Sequence, residues 1–245
     1  MYIENGCSAS QEIFLNKTNY QSDPPVWILS LGAGLAPFAV TLVAPAIPTL
    51  TADLNANPTT AQWVLSVLLI SIACGQLVAG PISDTFGRKP LFLGGAIAYC
   101  LAGFGAVFSQ TIETIIFFRI IQGLGAAAAV AMSRSIVGDL YNREQSAGVM
   151  STIIAMMAII PVLGTSFGGL LADLTGWQGS FMTLAITGLF LTYAVKFRVQ
   201  ETHKPEHERG FTIKNSLVGY TMLMSTPKFL ASAITTASQT AIFFT

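Results

Sequence analysis

Long runs of apolar residues, separated by short polar segments, dominate the chain. Six of these runs are long enough to be membrane-spanning helices, which need roughly 20 mostly apolar residues to cross about 30 Å of hydrocarbon. They cover residues 26–50, 61–82, 91–108, 114–137, 147–172 and 177–195. A seventh run begins at about residue 229 and is still apolar at Thr245. Continuous runs of this length predict helices, not the alternating strands of a membrane β-barrel.

The composition supports a protein that crosses a membrane several times and is surrounded by lipid. Of the 245 residues, 52% are hydrophobic and 10% are charged, whereas soluble proteins have about 25% charged residues. The formal net charge is zero, so we expect no nucleic-acid partner. The three cysteines form no CxxC pair, and we expect neither a metal site nor a cofactor. We interpret His203 and His207 as part of a solvated linker.

The basic residues are distributed unevenly between the two sets of connecting segments. Of the 12 Lys and Arg residues, one, Arg119, lies inside the fourth apolar run. The others lie in the N-terminal tail, after the second run, around the end of the fourth, or after the sixth. Basic loops usually face the cytoplasm. We therefore predict an integral multi-pass protein of the plasma (inner) membrane, with a cytoplasmic N-terminal tail over 1–25 and a cytoplasmic linker over 196–228.

One pattern of residues occurs twice in the chain. The first copy comprises Gly80, Asp84, Gly87 and Phe92, and the second, at an offset of 89 residues, comprises Gly169, Asp173, Gly176 and Phe181. Three predicted helices separate the copies, and an odd number of spans places them on opposite sides of the membrane. The pattern therefore predicts two three-helix repeats of inverted topology.

Arg119 is a charged residue about 7–8 Å along the fourth predicted helix. Charged residues inside membrane spans usually face a cavity or a partner, although a long side chain can also reach back to the membrane surface. Gln122 follows at a spacing of three and shares the same helix face. We predict that Arg119 and Gln122 line a water-containing cavity.

The loop between the second and third helices contains five candidate gating residues. They are Gly80, Asp84, Gly87, Arg88 and Lys89. Asp84 precedes Arg88 by four residues and can pair with it across one helical turn, and glycines permit a tight turn. Charge contacts that exist in only one conformation would bias a conformational equilibrium. The alternative is that Arg88 and Lys89 only anchor the topology.

The fifth predicted helix contains a proline and three glycines, Pro161, Gly164, Gly168 and Gly169. A proline inside a helix removes a backbone hydrogen bond and favours a kink. Glycines let a neighbouring helix approach closely. We predict a hinge at these four residues, and a tight helix contact is the alternative.

Together these motifs resemble the major facilitator superfamily, and within it the bicyclomycin-resistance (Bcr/CflA) type of drug/proton antiporter. Residues 80–90 are similar to the family's loop 2–3 motif, 119–127 to its helix 4 motif and 161–169 to its helix 5 antiporter motif. The resemblance implies an all-α six-helix bundle of two inverted three-helix repeats, followed by the start of a seventh transmembrane helix. It also implies multidrug efflux by proton antiport, with proton coupling at Arg119 and with small amphipathic drug-like molecules and protons as partners.

The sequence departs from this family pattern at Thr41, Thr85 and Thr165. Thr41 holds the position at which this subfamily often has a membrane Asp, and a threonine hydroxyl carries no proton near neutral pH. We retain Thr41 as a candidate cavity residue. Members of the family usually have twelve helices in two halves, so we expect a chain truncated to its N-terminal half, completed by a missing C-terminal half or a second copy.

Two other functions remain open at this point. The chain could be a facilitator for sugars or metabolites, or a membrane scaffold or regulator that does not transport. A P-loop of the form GxxxxGK[ST] does not occur, so ATP-driven transport is not expected. We also expect no enzyme, because the predicted spans contain neither a Ser–His nor a His–Glu pair.

Overall fold

A computed structural model describes residues 24–202, together with Leu230 and Thr235. The chain divides into two compact units, 1–205 and 206–245; Leu230 and Thr235, the described residues of the second unit, are helical. The predicted N-terminal tail up to residue 23, the linker from residue 203 and most of the predicted helix over 229–245 lie outside the described residues.

Five helices of the described part are long and apolar enough to cross a membrane. They are α1 (Val26–Asp53), α2 (Pro58–Phe86), α3 (Arg88–Val107), α4 (Ile112–Leu140) and a fifth helix over Arg143–Arg198. Helix α1 passes through a 3₁₀ turn at Ala44–Ala46. The fifth helix contains one non-helical residue, Gly176, at which two helices meet in a kink. We name its two arms α5 (143–175) and α6 (177–198).

Polar side chains set the beginnings of three helices earlier than the apolar runs predict. The side chain of Asn57 accepts a hydrogen bond from the Thr59 N–H at 2.9 Å, at the start of α2. Thr111 accepts one from the Thr114 N–H at 3.4 Å, at the start of α4, and Asn142 accepts one from the Gln145 N–H at 3.0 Å, at the start of α5. These caps satisfy backbone donors that the first helical turn leaves free.

Helix α4 lies against both α2 and α3 through glycines. A Cβ atom on Gly123 would lie 2.8 Å from the carbonyl oxygen of Leu68 in α2. A Cβ atom on Gly125 would lie 2.8 Å from the backbone nitrogen of Tyr99 in α3. Only glycine permits backbones to approach this closely, so the small residues of α4 fix its place between α2 and α3.

The two copies of the repeated pattern occupy equivalent places in the bundle. Gly87 and Gly176 are the glycines with positive φ in the described part, at 98° and 69°, and each ends one helix and begins the next. Phe92 and Phe181 are both fully buried. These observations support the inverted repeat, and the predicted all-α membrane fold is confirmed.

A further pair of glycines at the same offset extends the internal symmetry. A Cβ atom on Gly75 of α2 would lie 2.7 Å from Ala127 of α4. A Cβ atom on Gly164 of α5, 89 residues later, would collide with Thr41 of α1. The contact between α2 and α4 in one copy therefore corresponds to the contact between α5 and α1 in the other.

Candidate functional site

Arg119 is buried inside the bundle, with 0% of its surface exposed. Its Nη1 donates to the Gln122 side-chain oxygen at 2.9 Å and to the Ala39 carbonyl oxygen of α1 at 3.3 Å. Its Nη2 donates to the same carbonyl oxygen at 3.4 Å. The guanidinium therefore points into the protein and does not reach back to the membrane surface.

An aromatic ring packs over the guanidinium. The ring centroid of Phe181 in α6 lies 4.7 Å from the guanidinium carbon. The Tyr99 hydroxyl of α3, which is also fully buried, donates to the Leu35 carbonyl oxygen of α1 at 3.4 Å. A desolvated cation over an aromatic ring gains about 2 kcal/mol. Helices α1, α4 and α6 thus converge on one positive charge.

The water-containing cavity beside Arg119 and Gln122 stays a prediction, since both side chains are buried in the conformation described here. Gln122 is 1% exposed, so the Arg119–Gln122 pair is enclosed by packed helices in this conformation. In the part of the chain that the structure describes, the two ion pairs both involve Arg88, and Arg119 has only neutral partners. A buried charge without a counter-charge is costly, and the carbonyl, amide and ring described above offset that cost.

Thr41 lies on α1 two residues beyond Ala39, and its described contacts are with α1 and α5. Its hydroxyl donates to the Pro37 carbonyl oxygen at 3.0 Å, a bond that satisfies a polar group within its own helix. Gly164 of α5 lies directly against it. The structure therefore brings Thr41 together with the predicted hinge.

The predicted gating loop forms a network of charged groups at one end of the bundle. Arg88 Nη1 lies 2.8 Å from Asp84 Oδ1, and it also donates to the Ser83 hydroxyl. Arg88 Nε lies 3.1 Å from Asp139 Oδ2 at the end of α4. Asp84 and Arg88 pair as their spacing predicts, but they do so across the non-helical Gly87 that separates α2 from α3 and not across one helical turn.

Glu201, three residues beyond the end of α6, is part of this network and was missed in the sequence. Its carboxylate accepts hydrogen bonds from the Arg88 N–H at 2.9 Å and the Lys89 N–H at 3.2 Å. These are free donors at the first turn of α3, where a negative charge is favoured. The neighbouring Thr202 hydroxyl donates to Asp139 Oδ2 at 3.3 Å. The start of the linker is thereby fastened to α3 and α4.

The glycines of the loop differ in what they permit. Gly87 has a φ of 98°, and a Cβ atom there would lie 2.6 Å from Glu201 Oε2. A Cβ atom on Gly80 would meet nothing within 4 Å. The structure therefore requires a glycine at position 87 and tolerates a side chain at position 80.

The predicted hinge residues also separate into two groups. Gly164 and Gly168 face α1, where a Cβ atom on Gly168 would collide with the Leu42 backbone. A Cβ atom on Gly169 would meet no atom within 4 Å. Pro161 lies inside α5, and its carbonyl oxygen accepts a hydrogen bond from the Thr165 hydroxyl at 2.9 Å. Gly164 and Gly168, which follow Pro161 along α5, therefore form a close contact with α1.

Ligands for a metal ion do not cluster in the described part of the chain. Residues 24–202 contain no group of three or more His, Cys, Asp or Glu side chains with suitable geometry.

Comparison with known proteins decides the family. The model of the Major Facilitator Superfamily matches residues 29–245. The chain belongs to this superfamily. Its architecture accounts for the inverted repeats and for the membrane-spanning helices, and it identifies the chain as an integral membrane protein of a transporter family.

Within the superfamily, the chain is similar to drug-resistance proteins. It is 32% identical to a bicyclomycin resistance protein homolog from Haemophilus influenzae over 77% of this chain and 48% of that protein. It is 32% identical to a chloramphenicol resistance protein from Pseudomonas aeruginosa over 73% of this chain and 43% of that protein. The resemblance to the Bcr/CflA type is confirmed. The chain spans about half the length of these relatives.

Solved structures of superfamily members share the fold. The proton:xylose symporter XylE, bound to a bromodeoxyglucose, superposes with a TM-score of 0.64 at 18% identity, over 72% of this chain and 44% of that protein. Another crystal structure of a D-xylose-proton symporter gives a TM-score of 0.63 at 16% identity, over 84% of this chain and 54% of that protein. At this level of identity the likeness concerns the fold alone.

Proposed function

We propose that the protein is a secondary active transporter that exports small amphipathic molecules by multidrug/proton antiport. The observation that carries this proposal is the buried Arg119, at which three helices of a drug-resistance type of bundle converge. A charge maintained in the membrane interior at such a cost is typical of a substrate or ion pathway. We expect no enzymatic activity.

Opening of the bundle is the step at which Arg119 would act in this proposal. Its long bonds to the Ala39 carbonyl, at 3.3 and 3.4 Å, are weak compared with charge-assisted bonds of about 2.7–2.9 Å. A rearrangement of α1 against α4 would release the guanidinium towards water or substrate. Release changes the electrostatic free energy of any proton or charged molecule nearby, which is how Arg119 would contribute to coupling.

The charged network around Arg88 would oppose this opening of the bundle. Asp84, Asp139 and Glu201 join the ends of α2, α4 and α6 to the start of α3. Contacts that are intact in one conformation and broken in another favour the first by their differential free energy. We propose that this network faces the cytoplasm of the inner membrane and stabilises the conformation described here.

Drug flux in proteoliposomes tests the proposal. The 245-residue chain is reconstituted, a pH gradient is imposed, and flux of chloramphenicol across the membrane is measured. We expect gradient-dependent flux that Arg119→Leu reduces at least about tenfold, a loss of about 1.4 kcal/mol. Arg134→Leu, which removes an exposed arginine of the same helix, is the matched control and keeps the flux.

The other outcomes identify the alternative functions. Flux that does not depend on the pH gradient would indicate a facilitator. Stable insertion of the chain without any flux would contradict transport by this chain alone and favour a scaffold or regulator. Flux through Arg119→Leu equal to that through Arg134→Leu and the unchanged protein would show that Arg119 takes no part in the mechanism.

A further inference from the structure

Four buried polar groups without a hydrogen-bond partner lie on the two helices that meet at Arg119. Within the described residues, no hydrogen-bond partner exists for Arg119 Nε, Gln122 Nε2, Trp177 Nε1 and Ser180 Oγ. The three nitrogen atoms can only donate, and the hydroxyl can donate or accept. All four residues are 2% exposed or less. Buried donors without acceptors are unfavourable, so the region is suited to a group that supplies acceptors.

These donors come from two helices that meet at one aromatic ring. On α4, Arg119 and Gln122 are joined by the hydrogen bond of 2.9 Å. On α6, Phe181 lies over the guanidinium at 4.7 Å, Ser180 directly precedes it, and the Trp177 ring lies 5.9 Å from the Phe181 ring. Trp177 therefore lies one helical turn from the ring that Arg119 contacts, on the same face of α6.

The charge of the region selects the sign and size of a ligand. Arg119 provides one positive charge, and its partners among residues 24–202 are neutral. A divalent anion would leave one negative charge unpaired in a low-dielectric interior, which is strongly unfavourable. A compact group with one negative charge and several lone pairs fits both the single cation and the free donors.

We propose that the bundle binds a monovalent anion at Arg119 and Gln122, beside Trp177. The chemistry is that of a halide or of a carboxylate on a small organic molecule. The anion would replace the long bonds to the Ala39 carbonyl. Binding can be measured without transport, so the proposal stands or falls independently of the efflux function.

Trp177 provides the probe for a binding experiment. The chain has three tryptophans, and the other two, Trp27 and Trp63, are 47% and 48% exposed. W27F/W63F therefore leaves one buried tryptophan beside the proposed site. Sodium bromide, a heavy-atom quencher, is titrated into the purified protein in detergent. Sodium sulfate, whose divalent anion the single charge of Arg119 disfavours, keeps the ionic strength constant. We expect saturable quenching with half-saturation at millimolar bromide.

Substitutions on α4 distinguish a site from simple collision. In the same background, Arg119→Leu should weaken bromide binding by at least about tenfold, whereas Arg134→Leu should leave it unchanged. Gln122→Leu is the second test if Arg119→Leu does not fold, and it should weaken binding several-fold. Linear quenching without saturation, or equal binding in Arg119→Leu and the parent, would overturn the proposal.

A competition experiment distinguishes the two sources of the anion. Sodium acetate that reverses bromide quenching would indicate a carboxylate site, the chemistry of an acidic substrate. Bromide binding that acetate leaves unchanged would indicate a halide site. A melting temperature that differs between chloride and sulfate at equal ionic strength, with a higher value in chloride relative to sulfate in the parent than in Arg119→Leu, would support either form.

Discussion

Arg119 is recognisable in the sequence as a charge inside a membrane span, but its partners are not. The Ala39 carbonyl that accepts from both of its terminal nitrogens is a backbone atom, and a backbone acceptor leaves no trace in the choice of side chain. Gln122 was predictable because a spacing of three places it on the same helix face. Phe181 appeared only as a member of the repeat, although its ring contacts the guanidinium.

Gly87 is the residue at which a single methyl group should have the largest effect on the charged network. Its φ of 98° and ψ of 160° belong to a region that essentially only glycine adopts. An alanine would also crowd Glu201, which holds the first turn of α3. We expect Gly87→Ala to cost about 1–3 kcal/mol, measured as a lower melting temperature in detergent and reduced drug flux.

Gly80→Ala is the matched control for this substitution. It lies in the same loop motif, inside α2, and its Cβ would meet no atom within 4 Å. Alanine is about 0.5–1 kcal/mol better than glycine in a helix interior, so the melting temperature should stay the same or rise slightly. A Gly87→Ala protein as stable and active as Gly80→Ala would show that the turn does not need its left-handed conformation.

At the scale of elements, helix α5 packs against α1 through Gly164 and Gly168. Gly168→Ala would drive a methyl group into the Leu42 backbone. Overpacking of this kind costs about 1–3 kcal/mol, because the α1 backbone cannot move away as a side chain would. We expect a lower melting temperature and slower flux, measured in detergent and in proteoliposomes respectively.

The adjacent glycine separates a packing role from a general need for flexibility. Gly169→Ala changes the same residue type one position along α5, where a Cβ has open space. It should therefore keep wild-type flux and stability. If Gly169→Ala impaired flux as strongly as Gly168→Ala, the glycines of α5 would act through backbone flexibility. The close contact with α1 would then not be the reason for the loss of flux.

The elements show where sequence reasoning succeeds and where it stops. The offset of 89 residues predicted that Gly87 and Gly176 have equivalent places, and both have positive φ. The same offset relates Gly75 to Gly164, but single glycines in apolar helices are too common to be recognised without the contacts. Glu201 was missed because 113 residues separate it from Arg88, and no local periodicity links positions so far apart.

At the scale of the whole molecule, the orientation in the membrane is a prediction that labelling can check. Asp53 and Glu144 are both exposed and lie at opposite ends of the predicted spans. In a background in which Cys7, Cys74 and Cys100 are replaced by serine, we introduce Asp53→Cys or Glu144→Cys. Because basic loops remain in the cytoplasm, we expect a membrane-impermeant maleimide added to intact cells to label only the Asp53→Cys protein.

Labelling after permeabilisation is the control, and both variants should then react. Labelling of the Glu144→Cys protein in intact cells, with the Asp53→Cys protein protected, would reverse the assigned topology. The network around Arg88 would then face the exterior, and its proposed role at the cytoplasmic side would be wrong.

Gly176 alone separates α5 from α6 in the described chain, and a connection of one residue limits how the two helices can move. A longer connection would let the two rods tilt independently, but a single junction has only two soft torsions, φ and ψ. Any swing of α5 against α1 must be absorbed by those torsions or passed along to α6. The ring of Phe181 lies within the first turns of α6. A displacement of α5 at Gly164 and Gly168 can therefore be transmitted through α6 to the guanidinium of Arg119.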